Sequence, residues 1–174
     1  MIGSLLGDGT LASTTSGWCF RVHHGLRQRD LVDWKHEIMS RFVRTGPRES
    51  GTGVYFRTVS HPAFREMRHD FYIGARKIVP LGLLERELDG LAMAVWIMDD
   101  GSRDGGQLRI NTQSFSADEV GGLASVLRAK FGIEMRINID KGRPRLRCAA
   151  SSMTRLVGLV RPYTIPNMLY KLSL

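Results

Sequence analysis

The sequence predicts an α+β fold built twice, with each half running helix, two strands, helix, two strands, helix, over residues 1–86 and 87–174. Three observations carry that expectation. A glycine-acid mark that closes a small-residue-rich apolar stretch occurs as Leu5-Leu6-Gly7-Asp8-Gly9 and again as Ile97-Met98-Asp99-Asp100-Gly101. The same succession of hydrophobic periods follows each mark. Each half then ends in a lysine near a proline: Asp8 and Lys77 stand 69 residues apart, Asp100 and Lys171 71.

The elements follow in order. After the first mark, Thr15-Ser16-Gly17 signals a turn, Trp18 to His23 reads as a strand, and Asp30 to Phe42 as an amphipathic helix stopped at Gly46-Pro47. Arg48 to Gly53 reads as a flexible loop, Gly53 to Val59 as strand, and Pro62 to Tyr72 as helix. Residues 84–89, with Glu85-Arg86-Glu87, form a tight junction into the apolar helix before Asp100. Gly105-Gly106 is a hairpin signal before the strand Gln107 to Asn111. Ser116 and Glu119 form a capping box, Gly132 stops the helix they open, and two strands (133–139 and 144–149) precede a last helix at 152–160.

Each mark puts a carboxylate at the carbonyl end of a helix, where the macrodipole is already negative and an acid is misplaced by up to about 1 kcal/mol. Gly3, Ser4 and Gly7 on one helix and Ala92 and Ala94 on the other would let the two pack closely, bringing Asp8 to Asp100. Like charges so placed must protonate or bind a metal ion.

Composition points to a polyanionic partner. The formal charge is +8, from 25 basic and 17 acidic residues, and 20 of the basic residues are arginines. Many stand on strand-like stretches: Arg21, Arg57, Arg109, Arg136, Arg143, Arg145 and Arg147. In Arg143-Pro144-Arg145-Leu146-Arg147-Cys148 the arginines share one face and the apolar residues the other, which describes a sheet packed on helices behind and basic in front. Such a face suits double-stranded DNA, since arginine forks match phosphates and guanine edges. A solvated strand face is the alternative. Hydrophobic residues make up 43% of the chain, enough for a real core. No apolar run is long enough to span a bilayer, and the N-terminus shows no secretory leader, so a soluble intracellular protein is expected. Cys19 and Cys148 lack metal-finger or redox spacing and read as buried thiols in a reducing compartment.

Leu91 to Ser102, then Ile110-Asn111-Thr112-Gln113-Ser114-Phe115, and finally Ile165-Pro166 through Tyr170-Lys171-Leu172 together resemble the LAGLIDADG homing endonucleases, in their two-motif, single-chain branch. Ile2 to Gly9 matches the end of the first motif. The resemblance implies two pseudo-symmetric αββαββα half-domains, with the motif helices at their interface and saddle-shaped antiparallel sheets over DNA. It implies metal-dependent hydrolysis of one phosphodiester on each strand, leaving short 3′ overhangs. Asp8 and Asp100 match the family's metal-ligating acids, with the Gly7 and Asp99 carbonyls assisting; the Asp99 side chain reads as a cap or turn acceptor. Lys77 and Lys171 match its basic residues near phosphate. Gln113, with His24 as its counterpart, takes the place of a water-positioning residue. Mg²⁺ is the implied cofactor, with Mn²⁺ substituting and Ca²⁺ binding without supporting cleavage. The implied partner is a long, partly palindromic duplex bound by a monomer, in a prokaryotic cytoplasm or an organelle.

A rival reading keeps the scaffold without cutting: an intron RNA maturase or a transcription factor. Retention of both acids favours cleavage. Cys19, His23, His24 and Cys148 lack zinc-finger spacing, and Trp34, Trp96, Met93 and Met98 read as core.

Overall fold

The structure, a computed structural model, describes residues 1–172. In chain order it contains α1 (Ile2–Leu6), β1 (Thr10–Thr14), β2 (Gly17–Gly25), α2 (Arg29–Ile38), β3 (Arg48–Ser50), β4 (Gly53–Arg57) and α3 (Pro62–Phe71). A small hairpin, β5 (Tyr72–Ile73) and β6 (Arg76–Lys77), and α4 (Leu81–Glu87) follow. The second motif opens α5 (Gly90–Asp100), β7 (Gly101–Asp104), β8 (Gln107–Ile110), α6 (Ala117–Phe131), β9 (Met135–Asp140), β10 (Arg143–Cys148) and α7 (Met153–Val160). The predicted αββαββα order thus occurs twice. Both four-stranded sheets share one strand order, β1-β2-β4-β3 and β7-β8-β10-β9, and every pairing within them is antiparallel.

The chain divides into two compact units, one made of Met1–Gly7 with the chain from Phe71 onward, the other of Asp8–Asp70. In the larger unit α5 is the central helix, with Met93, Ala94, Trp96, Ile97 and Met98 all fully buried. Asp89 caps its start, accepting from the Ala92 N–H at 2.7 Å. Helix α1 packs along α5 so closely that a Cβ on Gly3 would run into the Ala92 carbonyl. Only glycine lets two backbones touch in this way. The smaller unit packs the apolar face of β2 and β4 (Phe20, Val22, Val54, Phe56) on Leu31 and Val32 of α2.

Four local expectations change. Arg48–Ser50 is a strand, not a loop; Gly51 turns the chain at φ +58, and β3 pairs with β4 although all three of its residues are exposed and give no alternation to read. The junction at residues 84–89 contains the end of a helix, α4, anchored by Leu84. Lys77 lies on a hairpin that the sequence reading left out, turned at Gly74 with φ +57. The buried face of α2 is Leu31, Val32 and Lys35, so Trp34 is only half-buried and Ile38 is 54% exposed.

Candidate active site and nucleic-acid interface

In the larger unit both motif helices end on carbonyls that face a lysine. The Lys77 Nζ donates to the Gly7 carbonyl, the C-cap of α1, at 2.8 Å. Lys171, on the closing turn and only 7% exposed, donates to the Met98 carbonyl and, at 3.1 Å, to that of Asp99. An ammonium is what the negative pole of a helix attracts. The Asp99 side chain is buried against Gly7: a Cβ there would stand 2.6 Å from that of Asp99. Asp100 is half-buried, and its carbonyl accepts from the Asn111 N–H at 3.1 Å, tying the end of α5 to the residue that follows β8.

Glu119 fixes the hairpin that carries Lys77. Besides completing the capping box with Ser116, its carboxylate accepts from Arg76 at 2.9 Å and from the Val79 N–H at 3.2 Å, on either side of Lys77. Burial pushes its pKa up, but the hydrogen bonds from the Ser116 backbone, Arg76, the Ser116 hydroxyl and Val79 outweigh it and hold it below the ordinary 4.5.

In the smaller unit Asp8 sits at a groove of about 1560 Å³ over the open face of the sheet, lined also by Arg21, His23, Arg44, Arg48 and Arg57. The Asp8 side chain is 46% exposed, and its Oδ2 lies 3.4 Å from Nδ1 of His24, whose own side chain is 1% exposed. Nε2 of His24 lies 3.4 Å from Nζ of Lys35.

Strand register lines up the arginines. Arg21 stands directly opposite Arg57 between β2 and β4; in the other sheet Arg147 on β10 is opposite Arg109 on β8 and Arg136 on β9, a row of three. Like charges directly opposite each other destabilise a sheet, and the arrangement recurs in both sheets. Arg21, Arg57, Arg136 and Arg143 are exposed, and Arg109, Arg145 and Arg147 half-buried, with Pro144, Leu146 and Cys148 on the inner face as the alternation predicts. Arg145 is already committed: it pairs with Asp140 at 2.6 Å, and with the Gln113 amide turned to face it, that oxygen accepts from Nε at 3.0 Å and Nη2 at 2.8 Å. Gln113 therefore orders an arginine. Counted from the paired arginines, His24 lies three residues past Arg21, whereas Gln113 lies four past Arg109. The residue in His24's place is Thr112, fully buried and donating to the Pro144 carbonyl at 2.9 Å.

Sequence reasoning missed Lys35, the tie from Glu119 to the Lys77 hairpin, and Arg44 and Arg48 on the groove. Lys35 was detectable, four residues after Leu31 on the helix period; the Glu119 tie joins segments about forty residues apart and leaves no local trace.

The chain matches the model of the LAGLIDADG DNA endonuclease family over residues 1–156. It is 33% identical to the cytochrome b mRNA maturase bI2 of Debaryomyces hansenii, over 99% of this chain and 72% of that protein. It is 34% identical to the intron-encoded endonuclease ai4 of Dictyostelium discoideum, over 68% of this chain and 76% of that one. Among solved structures, the homing endonuclease I-WcaI bound to its DNA recognition sequence superposes with a TM-score of 0.91 at 24% identity, over 98% of this chain and 83% of that one. The crystal structure of I-DmoI in complex with DNA and Mn gives 0.59 at 14% identity, over 91% and 92%. The twice-repeated αββαββα order with basic sheet faces is the architecture of the homing-endonuclease class. The chain belongs to the LAGLIDADG family. Among the described residues, no helix is long and apolar enough to cross a membrane.

Proposed function

We propose that the chain is a site-specific, metal-dependent double-strand DNA endonuclease that works as a monomer, hydrolysing one phosphodiester on each strand and leaving short 3′ overhangs. The observation that carries this reading is the pair of arginine rows, set by strand register in two sheets of one topology, in a chain whose two apolar motif helices each lead into an acid. The rows and the Asp8 groove would take the phosphate backbone, with Arg21, Arg57, Arg109, Arg136, Arg143 and Arg147 as its contacts and Arg145 presented by Asp140 and Gln113.

The donors in each unit are of the kind that hard divalent cations take. Carboxylates of Asp8 and Asp100 and helix-end carbonyls of Gly7 and Asp99 are oxygen ligands of the kind Mg²⁺ and Mn²⁺ take. Both carbonyls already attract an ammonium, which marks the helix ends as places that seek positive charge. When bound, the cation supplies Lewis acidity for the attacking water and charge neutralisation for the leaving oxygen. Lys77 and Lys171 place a compact positive charge beside the phosphate, oriented by the carbonyls they hold.

The test is cleavage of a randomised duplex library with Mg²⁺, followed by sequencing of the products. Asp100→Asn is expected to abolish double-strand cutting while leaving duplex binding within about twofold. Full cleavage by the variant refutes the assignment. Similarity to a maturase favours a second reading, in which the same basic faces hold intron RNA. An RNA affinity that matches or exceeds duplex affinity, with no cleavage in any divalent cation, would select it.

A further inference from the structure

Helix α2 buries a lysine where its period calls for an apolar side chain. Lys35 is 4% exposed, on the same face as the fully buried Leu31 and Val32, beneath the strand that carries His24. An aliphatic stem tolerates burial; an ammonium does so only with partners. Here Nζ of Lys35 lies 3.4 Å from Nε2 of His24, and Nδ1 of the same ring lies 3.4 Å from Oδ2 of Asp8. The three side chains thus run from the buried floor of the sheet to the groove, where Asp8 is 46% exposed.

Donor chemistry orders this chain. An ammonium has donors and no acceptor, and a carboxylate has acceptors only. Nε2 of His24 must therefore present its lone pair to Lys35, which leaves the ring proton on Nδ1, pointing at Asp8. The opposite tautomer would set donor against donor at one end and acceptor against acceptor at the other. We infer that Lys35 is a positioning residue of the cleavage site, holding His24 in the Nδ1–H tautomer and, through it, aiming the Asp8 carboxylate at its cation. This rests on the reading of Asp8 as a metal ligand. His24, with both ring nitrogens so engaged and 1% of its side chain exposed, orients the acid instead of holding the attacking water. A residue bonded directly to a metal ligand, as His24 is to Asp8, typically accounts for about 10–100-fold in metal affinity, and Lys35 acts on it one step removed. Among the described residues the other sheet shows no equivalent: Thr112 in His24's place donates to a backbone carbonyl.

The experiment is ring-nitrogen NMR of His24 in the ¹⁵N-labelled, metal-free protein, paired with Mn²⁺ titration. The wild type is expected to show the Nδ1–H tautomer. Lys35→Met should shift it toward Nε2–H and weaken Mn²⁺ binding by up to about tenfold, and Lys35→Arg, which restores a donor-only cation, should recover the Nδ1–H form; Lys35→Leu stands in should the methionine variant not fold. An Nε2–H wild type, or a tautomer indifferent to Lys35→Met in a folded protein, overturns the proposal. Should Asp8→Asn leave Mn²⁺ affinity unchanged while the tautomer responds to Lys35 as stated, the assignment of Asp8 as a ligand fails, and with it the purpose given to Lys35.

Discussion

Replacing Glu119 with alanine removes three interactions at once, and their sum can be worked from the geometry. The Ser116 N–H, held at 2.7 Å, loses its half of the capping box, at about 1 kcal/mol. The N–H of the buried Val79, at 3.2 Å, loses its acceptor, at about another 1 kcal/mol. The Arg76 ion pair counts for about 0.5 kcal/mol, because the guanidinium side chain is 54% exposed and solvent screens it. The total, about 2.5 kcal/mol, corresponds to a fall in Tm of about 5–10 °C for a chain of this size. Thermal unfolding followed by circular dichroism at pH 7 measures it. The pH dependence has a definite sign: Glu119 titrates below its ordinary 4.5 in the folded protein, so its contribution is complete above that value and is lost as pH falls through the lower folded pKa. The gap between wild type and Glu119→Ala should therefore narrow in acid. Equal melting temperatures at pH 7, or a gap that widens as pH falls, would refute the role given to Glu119.

Other outcomes are as specific. Gly3→Ala pushes a Cβ into the Ala92 carbonyl and should cost about 1–3 kcal/mol in urea denaturation, whereas Gly46→Ala, with open space around it, should cost far less. Burial raises the Cys148 thiol from 9.0 to about 11, so the native protein should resist iodoacetamide at pH 8; stability should hold below pH 9 and then decline by up to about 2.7 kcal/mol as pH rises toward 11. Arg21→Ala or Arg136→Ala should reduce the slope of log binding constant against log salt by about 0.9 each, read by fluorescence anisotropy with a labelled duplex. An unchanged slope would remove that arginine from the phosphate-binding face.

Strand alternation in Arg143 to Cys148 was readable because period two sorts side chains into faces without help from the rest of the chain. The same holds for the capping box at Ser116 and for the Gly105-Gly106 turn, whose glycines adopt φ +55 and +80. Edge strand β3 was illegible for the converse reason: Arg48-Glu49-Ser50 buries nothing, and only pairing to β4 makes it a strand. Trp34, which reads as core, is half-buried because the rotation of α2 over its sheet puts Lys35 underneath instead.

Local order and chemistry therefore came from the chain itself: the doubled αββαββα succession, the acid that follows each apolar motif helix, and the arginines on strand faces. These depend on spacings of a few residues, which backbone geometry converts directly into faces and ends. Tertiary structure alone decided what each polar group meets: Lys77 on the Gly7 carbonyl, Lys171 on that of Asp99, Glu119 astride the Lys77 hairpin and Lys35 behind His24. Most of those partners lie about forty to seventy residues apart, and even Lys35 and His24 stand on different elements. Such meetings are set by how packed elements close on one another, and buried polar groups must then find the partners that closure brings.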